Sequence, residues 1–116
     1  MKIKVQAKTS AKVRSLVYNL LDVFQKIGIP VDGTDRKVER MAKACLAVGK
    51  IKKSFAEALS EENDGFVRTR DIISFENENY GEHISPGSYD NIRRTDLKLL
   101  IEAGIVINSS SKENLA

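Results

Sequence analysis

The sequence predicts a mainly α-helical domain with a small β element near its C-terminal end. Apolar residues recur at three- and four-residue steps in several segments, which is the spacing of one face of an α-helix. The chain has 116 residues, of which 41% are hydrophobic and 30% charged, a size and balance typical of one soluble globular domain. A short β-branched run at residues 105–108 departs from the helical pattern and predicts a strand.

The first two helices are predicted from their caps and apolar stripes. Ser10 is the expected N-cap of a helix whose apolar face runs from Val13 to Ile27, and Gly28 and Pro30 end it. Thr34 or Asp35 caps the second helix, which should end near Val48, before Gly49. Its expected buried face comprises Val38, Met41, Ala42, Cys45 and Leu46, and its expected solvent face carries Arg36, Lys37, Arg40 and Lys43.

Three more helices follow in the predicted order. A short one is expected in "KSFAEALSEEN", and an extended piece, "FVRT", leads to a cap at Thr69. The next helix runs from Arg70 to Tyr80, with Ile72, Ile73 and Phe75 buried and Gly81 at its end. The last helix spans about Ser88 to Ala103, with Ser85 before Pro86 as an alternative start. A strand at 105–108 and the polar loop "SSSKEN" come after it.

Charge is unevenly distributed along the chain. Residues 1–60 contain 13 Lys and Arg against 5 Asp and Glu, whereas residues 61–116 contain 6 against 11. A basic half can attract phosphate groups, although solvated helix faces would give the same pattern.

The sequence lacks the motifs of several function classes. There is no Gly-rich phosphate loop, no nucleophile motif and no metal-ligand cluster around His83, the only histidine. A single cysteine, Cys45, cannot form an internal disulfide and is expected to be a buried structural thiol. No Lys stands at nuclease-like spacing from Glu76, Glu78 and Glu82, which we interpret as a solvated helix face. We therefore expect no catalytic and no metal-binding residues in this chain.

The sequence also contains no membrane-spanning or signal segment. No run approaches the roughly 18 apolar residues of a membrane span, and "MKIKVQAKTS" lacks the apolar region of a signal peptide. A cytoplasmic protein without membrane contact is expected.

The order of elements in residues 61–116 predicts a winged helix-turn-helix with a partial wing. A short extended piece precedes a helix, a glycine turn, a second helix, a strand and a polar loop. Residues 1–60 would be an N-terminal helical extension packed on the same core. The last helix carries polar residues in its N-terminal half, where Arg can pair with guanine and Asn with adenine.

A family resemblance covers about residues 15 to 108. "VRTRDIISFENENYG" followed by "ISPGSYDNIRRTDLKLLIEAGIV" resembles the N-terminal helix-turn-helix domain of the BsuBI/PstI type of type II restriction endonucleases. The shared pattern is a Thr-capped helix ending in Tyr-Gly, a Pro and Ser in the turn, Ile-Arg-Arg, and a Leu-rich helix ending in Ile-Val. The resemblance implies that a metal-dependent nuclease domain, absent from this chain, follows in such enzymes. It implies Mg²⁺ only for that absent domain, and no cofactor is expected here.

These features together predict the site-recognition domain of a restriction–modification enzyme. It would bind double-stranded DNA with the helix at about 88–103 in the major groove. Palindromic sites imply a homodimer in the full-length enzyme, and the parent's nuclease domain is a second expected partner. The predicted DNA-facing residues are Tyr89, Asn91, Arg93 and Arg94, and the predicted phosphate contacts are Arg68, Thr69, Arg70 and Ser88. Lys98 is a further predicted DNA-binding residue.

Two alternatives remain open from the sequence. The acidic balance of residues 61–116 is unusual for a surface that faces DNA, and it favours a winged-helix protein–protein interaction module. The other alternative is a stand-alone DNA-binding regulator of a restriction–modification system, which would use the same chemistry without a nuclease.

Overall fold

The computed structural model describes residues 3–29, 31–52, 69–88 and 91–102. These ranges are mainly helical and contain no strand, so the predicted mainly α class is confirmed for them. The predicted short helix in "KSFAEALSEEN", the strand at 105–108 and the loop "SSSKEN" lie outside the described residues. The elements are α1 (Ala11–Lys26), α2 (Asp35–Val48), α3 (Thr69–Asn79), a 3-10 turn (Pro86–Ser88), a π-helical turn (Ile92–Asp96) and α4 (Lys98–Glu102). We call residues 91–102 the C-terminal helical segment.

Helix α1 begins and ends where its sequence predicts. The Val13 amide donates to Ser10 Oγ at 3.3 Å, which satisfies one of the free N–H groups of the first turn. Gly28 has φ +82°, the left-handed conformation that ends helices. Ile27 was expected on the buried stripe but is 63% exposed. Ile27 is the C-cap residue, one position beyond the end of the helix at Lys26.

Helix α2 lies at the centre of the described structure and contacts α1, α3 and the π-helical turn. Thr34 is its N-cap and Gly49 its C-cap, as predicted. Cys45 is partly buried rather than fully buried, and its burial raises the pKa of the thiol to about 11. Because neighbours cover α2 on several sides, its buried set extends beyond one apolar stripe.

The largest departure from the expected solvent face of α2 is Lys43, whose side chain is fully buried. Its Nζ donates to carboxylate oxygens of Glu39 and Glu82, both at 2.7 Å. It also donates to Thr9 Oγ1 at 2.9 Å and to the Tyr80 carbonyl oxygen at 3.2 Å. The prediction that Lys43 faces solvent was therefore wrong, and the ammonium group joins three segments of the chain.

Arg36 completes this buried network with a bidentate pair to Glu82. Its two terminal nitrogens donate to the two Glu82 carboxylate oxygens at 2.6 and 2.9 Å, the fork-to-fork geometry in which Arg binds carboxylates most strongly. Burial alone would raise the pKa of Glu82, but hydrogen bonds from Arg36 and Lys43 outweigh it and lower the pKa to about 2. Arg36 and Lys43 balance the charges of Glu39 and Glu82, so the network is neutral.

A second buried cluster contains Glu76, Asp96 and Arg40. Arg40 Nε donates to Asp96 Oδ2 at 3.2 Å, which joins α2 to the C-terminal helical segment. Burial, together with the nearby charges of Asp96 and Glu82, raises the pKa of Glu76 to about 8. Glu76 is therefore protonated at neutral pH. Of the three glutamates expected to form a solvated face, only Glu78 is exposed; that interpretation was wrong for Glu76 and Glu82.

The N-terminal segment, residues 3–9, packs along α2 without forming a strand. Its backbone amides donate to acidic side chains of the helix: Lys4 N to Asp35 at 3.0 Å and Gln6 N to Glu39 at 3.3 Å. Ile3 and Val5 are buried in the same core as the helices. The segment is thus a fixed part of the described structure.

The turn between α3 and the C-terminal helical segment is also fixed by hydrogen bonds. The Asn77 side chain accepts from the Ile84 amide at 2.8 Å and donates to the Ile84 carbonyl oxygen at 2.9 Å. The 3-10 turn begins at Pro86, and Ser85 Oγ accepts from the Gly87 amide at 3.3 Å. Ser85 therefore caps the 3-10 turn that begins at Pro86.

The C-terminal helical segment contains a π-helical turn that the sequence analysis did not predict. The Leu97 amide donates to the Ile92 carbonyl oxygen at 3.0 Å, one residue further back than in an α-helix. The extra residue lets the neighbours Asp96 and Leu97 both be buried, alongside Ile92 and Leu100. Asp96 thereby reaches Arg40 while the apolar side chains remain in the core.

Replacing Lys43 by Met should strongly destabilise the fold. Two carboxylates would remain buried without their shared cation, and removing one partner of a buried ion pair costs about 3–5 kcal/mol. Urea unfolding would measure this loss. Lys37→Met is the matched control, because Lys37 is exposed on the same helix and should change the free energy of unfolding by less than about 0.5 kcal/mol. Equal stability of the two variants would contradict the role given to Lys43.

Glu76 should make the fold less stable as the pH rises. Its pKa is about 8 in the folded chain, so its contribution is complete below the unfolded pKa of about 4.3 and is lost as the pH rises through 8. The Gln variant, Glu76→Gln, should lose this dependence and be more stable than the parent chain at pH 9. Urea unfolding at pH 6, 7, 8 and 9 tests this, and parallel curves for the two proteins would refute it. Glu82 has the opposite pH dependence, because its pKa is lowered to about 2. Its contribution to stability is complete above the unfolded pKa of about 4.3 and is lost as the pH falls through 2.

Candidate nucleic-acid interface

A pocket of about 370 Å³ opens where the N-terminal segment, α2, the turn after α3 and the C-terminal helical segment meet. Four of its lining residues are basic or imidazole side chains: Lys8, Arg36, Arg40 and His83. Polar side chains of the turn and the C-terminal helical segment also line it: Ser85, Ser88 and Asn91. Glu82 and Ile84 are the remaining described residues of the lining. We call this cavity the basic pocket.

The hydrogen bonds of the pocket residues determine which donors stay available. Arg36 and Glu82 neutralise each other through their bidentate pair. Arg40 binds Asp96 through Nε, and among the described residues its two terminal nitrogens have no hydrogen-bond partner. Lys8 is exposed, and its ammonium group has no partner in the described ranges. Lys8 therefore supplies the unpaired positive charge of the pocket, and Arg40, whose charge is paired with Asp96, supplies the N–H groups of its two terminal nitrogens.

Gly81 places Lys8 beside the turn after α3. Gly81 has φ +69°, and a Cβ atom added to it would lie 3.0 Å from the Lys8 carbonyl oxygen. The next residue, Thr9, is buried and accepts the hydrogen bond from Lys43. The backbone of Lys8 is thus held between Gly81 and the buried network, with its side chain at the pocket.

The structure brings together only part of the site predicted from the sequence. Ser88 and Asn91 lie in the basic pocket. Thr69, partly buried, and Arg70, exposed, stand at the start of α3, and Arg94 is exposed on the π-helical turn. Arg68, Tyr89 and the side chain of Arg93 lie outside the described part of the chain.

Lys98 lies in a different place from Ser88 and Asn91. It lines a second pocket of about 330 Å³, whose other residues include Lys37, Met41 and the acidic side chains Asp32 and Glu102. Charges of both signs surround Lys98, so this pocket is less suited to an anion than the basic pocket. As a predicted DNA contact, Lys98 thus lines a different pocket from Ser88 and Asn91.

Lys8, Arg40 and His83 were not predicted from the sequence as members of a site. His83 was considered only as a metal ligand, and Arg40 only as part of a solvated face. One available signal was the basic balance of residues 1–60. A second was the charged stripe of Arg36, Glu39, Arg40 and Lys43, which recurs at helical spacing and indicates a paired network on one side of α2.

Two helices joined by a glycine turn, with the second presenting polar side chains next to a basic pocket, define the class of helix-turn-helix domains. Comparison with family models gives the particular family. The chain belongs to the BsuBI/PstI restriction endonuclease HTH domain family, whose model matches residues 15–116. The family resemblance stated from the sequence is therefore confirmed.

The family describes the helix-turn-helix domain of these endonucleases and not their catalytic domain. Searches of curated proteins and of solved structures found no match to the chain. Among the described residues, no helix has the length and apolar character needed to cross a membrane.

Replacing Gly81 by Ala should destabilise the domain at the point where Lys8 is held. The substitution combines a left-handed backbone with a Cβ atom at 3.0 Å from a backbone oxygen, and such strain costs on the order of 1–3 kcal/mol. Thermal and urea unfolding would measure the loss. Gly87→Ala is the matched control, because its nearest neighbour would be Ser85 Oγ at 3.8 Å. If the two alanine variants were equally stable, the close approach would not constrain the fold.

Proposed function

We propose that this chain binds double-stranded DNA, with the C-terminal helical segment and the preceding turn inserted in the major groove. The observation that carries the proposal is the match of residues 15–116 to the helix-turn-helix domain of BsuBI/PstI restriction endonucleases. In domains of this type the second helix carries the side chains that contact base edges.

The exposed side chains of the C-terminal helical segment support this role. Asn91 and Arg94 are exposed, whereas Ile92, Leu97 and Leu100 are buried. An Asn side chain can pair with adenine N6 and N7, and an Arg side chain with guanine O6 and N7. We propose these two residues, with Tyr89 and Arg93, for base contacts, and Arg68, Thr69, Arg70 and Ser88 for phosphate contacts.

The positions of acidic residues weaken the protein–protein alternative. That alternative depended on the excess of acidic residues in 61–116. Glu76, Glu82 and Asp96 belong to this excess but are buried. Glu82 and Asp96 are paired with arginines of α2, and Glu76 is protonated at neutral pH. The exposed surface of the described part of this half, residues 69–88 and 91–102, is consequently less acidic than its composition.

The broader role we propose is site recognition in a restriction–modification system. A nuclease domain would then perform the cleavage, and two copies would match the two halves of a palindromic site. The proposal assigns no catalytic step and no cofactor to the residues of this chain.

The combined substitution Arg93→Ala and Arg94→Ala should weaken duplex binding. Each arginine that contacts a base or phosphate contributes to affinity, and a lost bidentate pair costs about 1–3 kcal/mol. Fluorescence anisotropy with mixed-sequence duplex DNA, across about 50 to 200 mM salt, measures the affinity and its salt dependence. We expect binding that falls steeply with salt and a loss of at least tenfold in affinity in the variant.

Lys12→Ala combined with Lys26→Ala is the control for this experiment. It removes the same charge from exposed positions of α1 and should leave specific contacts unchanged. An equal loss in both variants would indicate attraction by net charge alone. No binding of the parent chain at the lowest salt would refute the DNA proposal and direct attention to protein partners.

A further inference from the structure

The basic pocket has the features of a site for one phosphate group, and part of it lies outside the family match. Lys8 precedes residue 15, where the match begins, yet its side chain lines the pocket together with Arg40 and His83. We propose that the N-terminal segment belongs to the DNA interface, and that Lys8 and Arg40 bind a phosphate group in this pocket. The inference rests on the proposed function in one respect: it takes that phosphate to be part of the DNA backbone.

The available donors fit a phosphate better than a carboxylate or an apolar ligand. The Lys8 ammonium group and the two terminal nitrogens of Arg40 have no hydrogen-bond partner among the described residues. The side chains of Ser88, Asn91 and His83 add further donors from a second direction. Several N–H and O–H groups thus converge on one concave space, and a tetrahedral oxyanion can accept from several directions at once.

The pocket is held in place by groups that do not contact the ligand. Asp96 orients the Arg40 guanidinium through Nε. The bidentate bond to Arg36 engages both oxygens of Glu82, the one acidic side chain among the described residues of the lining. Gly81 and Thr9 fix the backbone on either side of Lys8. Little reordering of the Arg40 side chain or of the backbone around Lys8 is therefore needed when an anion binds.

The position of the pocket makes a backbone phosphate its natural ligand. Ser88 and Asn91 line it, and both belong to the region proposed to approach the major groove. Phosphates flank the groove on both strands, and contacts to them set the register in which a helix meets the bases. A phosphate held by Lys8 and Arg40 would anchor the N-terminal end of this region.

The first experiment compares the full chain with Lys8→Ala and with Lys12→Ala in duplex binding at several salt concentrations. The slope of log K against log salt is negative, and one lost phosphate contact reduces its magnitude by about 0.9. We expect this decrease, with a several-fold weaker affinity, in Lys8→Ala only. Lys8 and Lys12 are both exposed, so neither substitution should change thermal stability. If the parent chain bound duplex DNA and the two variants had equal slopes, the inference would be overturned. The proposed function would then remain intact.

The second experiment tests the pocket without DNA. Inorganic phosphate is titrated into the full chain and followed by two-dimensional ¹H–¹⁵N NMR, with sodium chloride at matched ionic strength as control. Shifts at His83 and Asn91 that disappear in Lys8→Ala would support a phosphate pocket. If the chain showed these shifts but bound no duplex, the proposed function would fail and free phosphate would be the ligand. The absence of both effects would overturn both proposals.

Discussion

The buried ammonium group of Lys43 is the interaction on which the rest of the described structure depends. It joins the N-terminal segment through Thr9, its own helix through Glu39, and the end of α3 through Tyr80 and Glu82. Taking a charge out of water is costly, and the cost is offset only when good geometry satisfies every donor. The network meets this condition, because Arg36 balances the second carboxylate and the group as a whole is neutral.

The same charges determine which surface remains for a ligand. Three acidic side chains from residues 61–116 are buried: Glu76, Glu82 and Asp96. Arg40 and Lys8, in contrast, have nitrogen donors at the basic pocket. The π-helical turn contributes because it directs Asp96 toward Arg40 without removing Leu97 from the core. The ion pairs that stabilise the core therefore also determine which basic side chains remain available at the basic pocket.

Local features of the structure were predictable from the sequence. The caps Ser10 and Thr34, the ends at Gly28 and Gly49, and the apolar face of α1 depend on residues within one helical turn of each other. The family was also recognisable, since the segment from Tyr80-Gly81 to Ile92-Arg93-Arg94 is contiguous. The site was recognisable only in part: Asn91 and Ser88 were predicted, whereas Lys8 and Arg40 were not.

By itself the sequence determined the positions of α1 to α3, the family and the region proposed to meet DNA. Only the tertiary structure decided that Lys43, Glu76 and Glu82 are buried and that Lys8 shares a pocket with Asn91. The physical reason is that helical periodicity distinguishes two faces, whereas α2 is covered on several sides. A charged residue on such a helix is buried or exposed according to partners 30 or more positions away, as Lys43 is with Thr9 and Glu82, and those pairings arise only on folding.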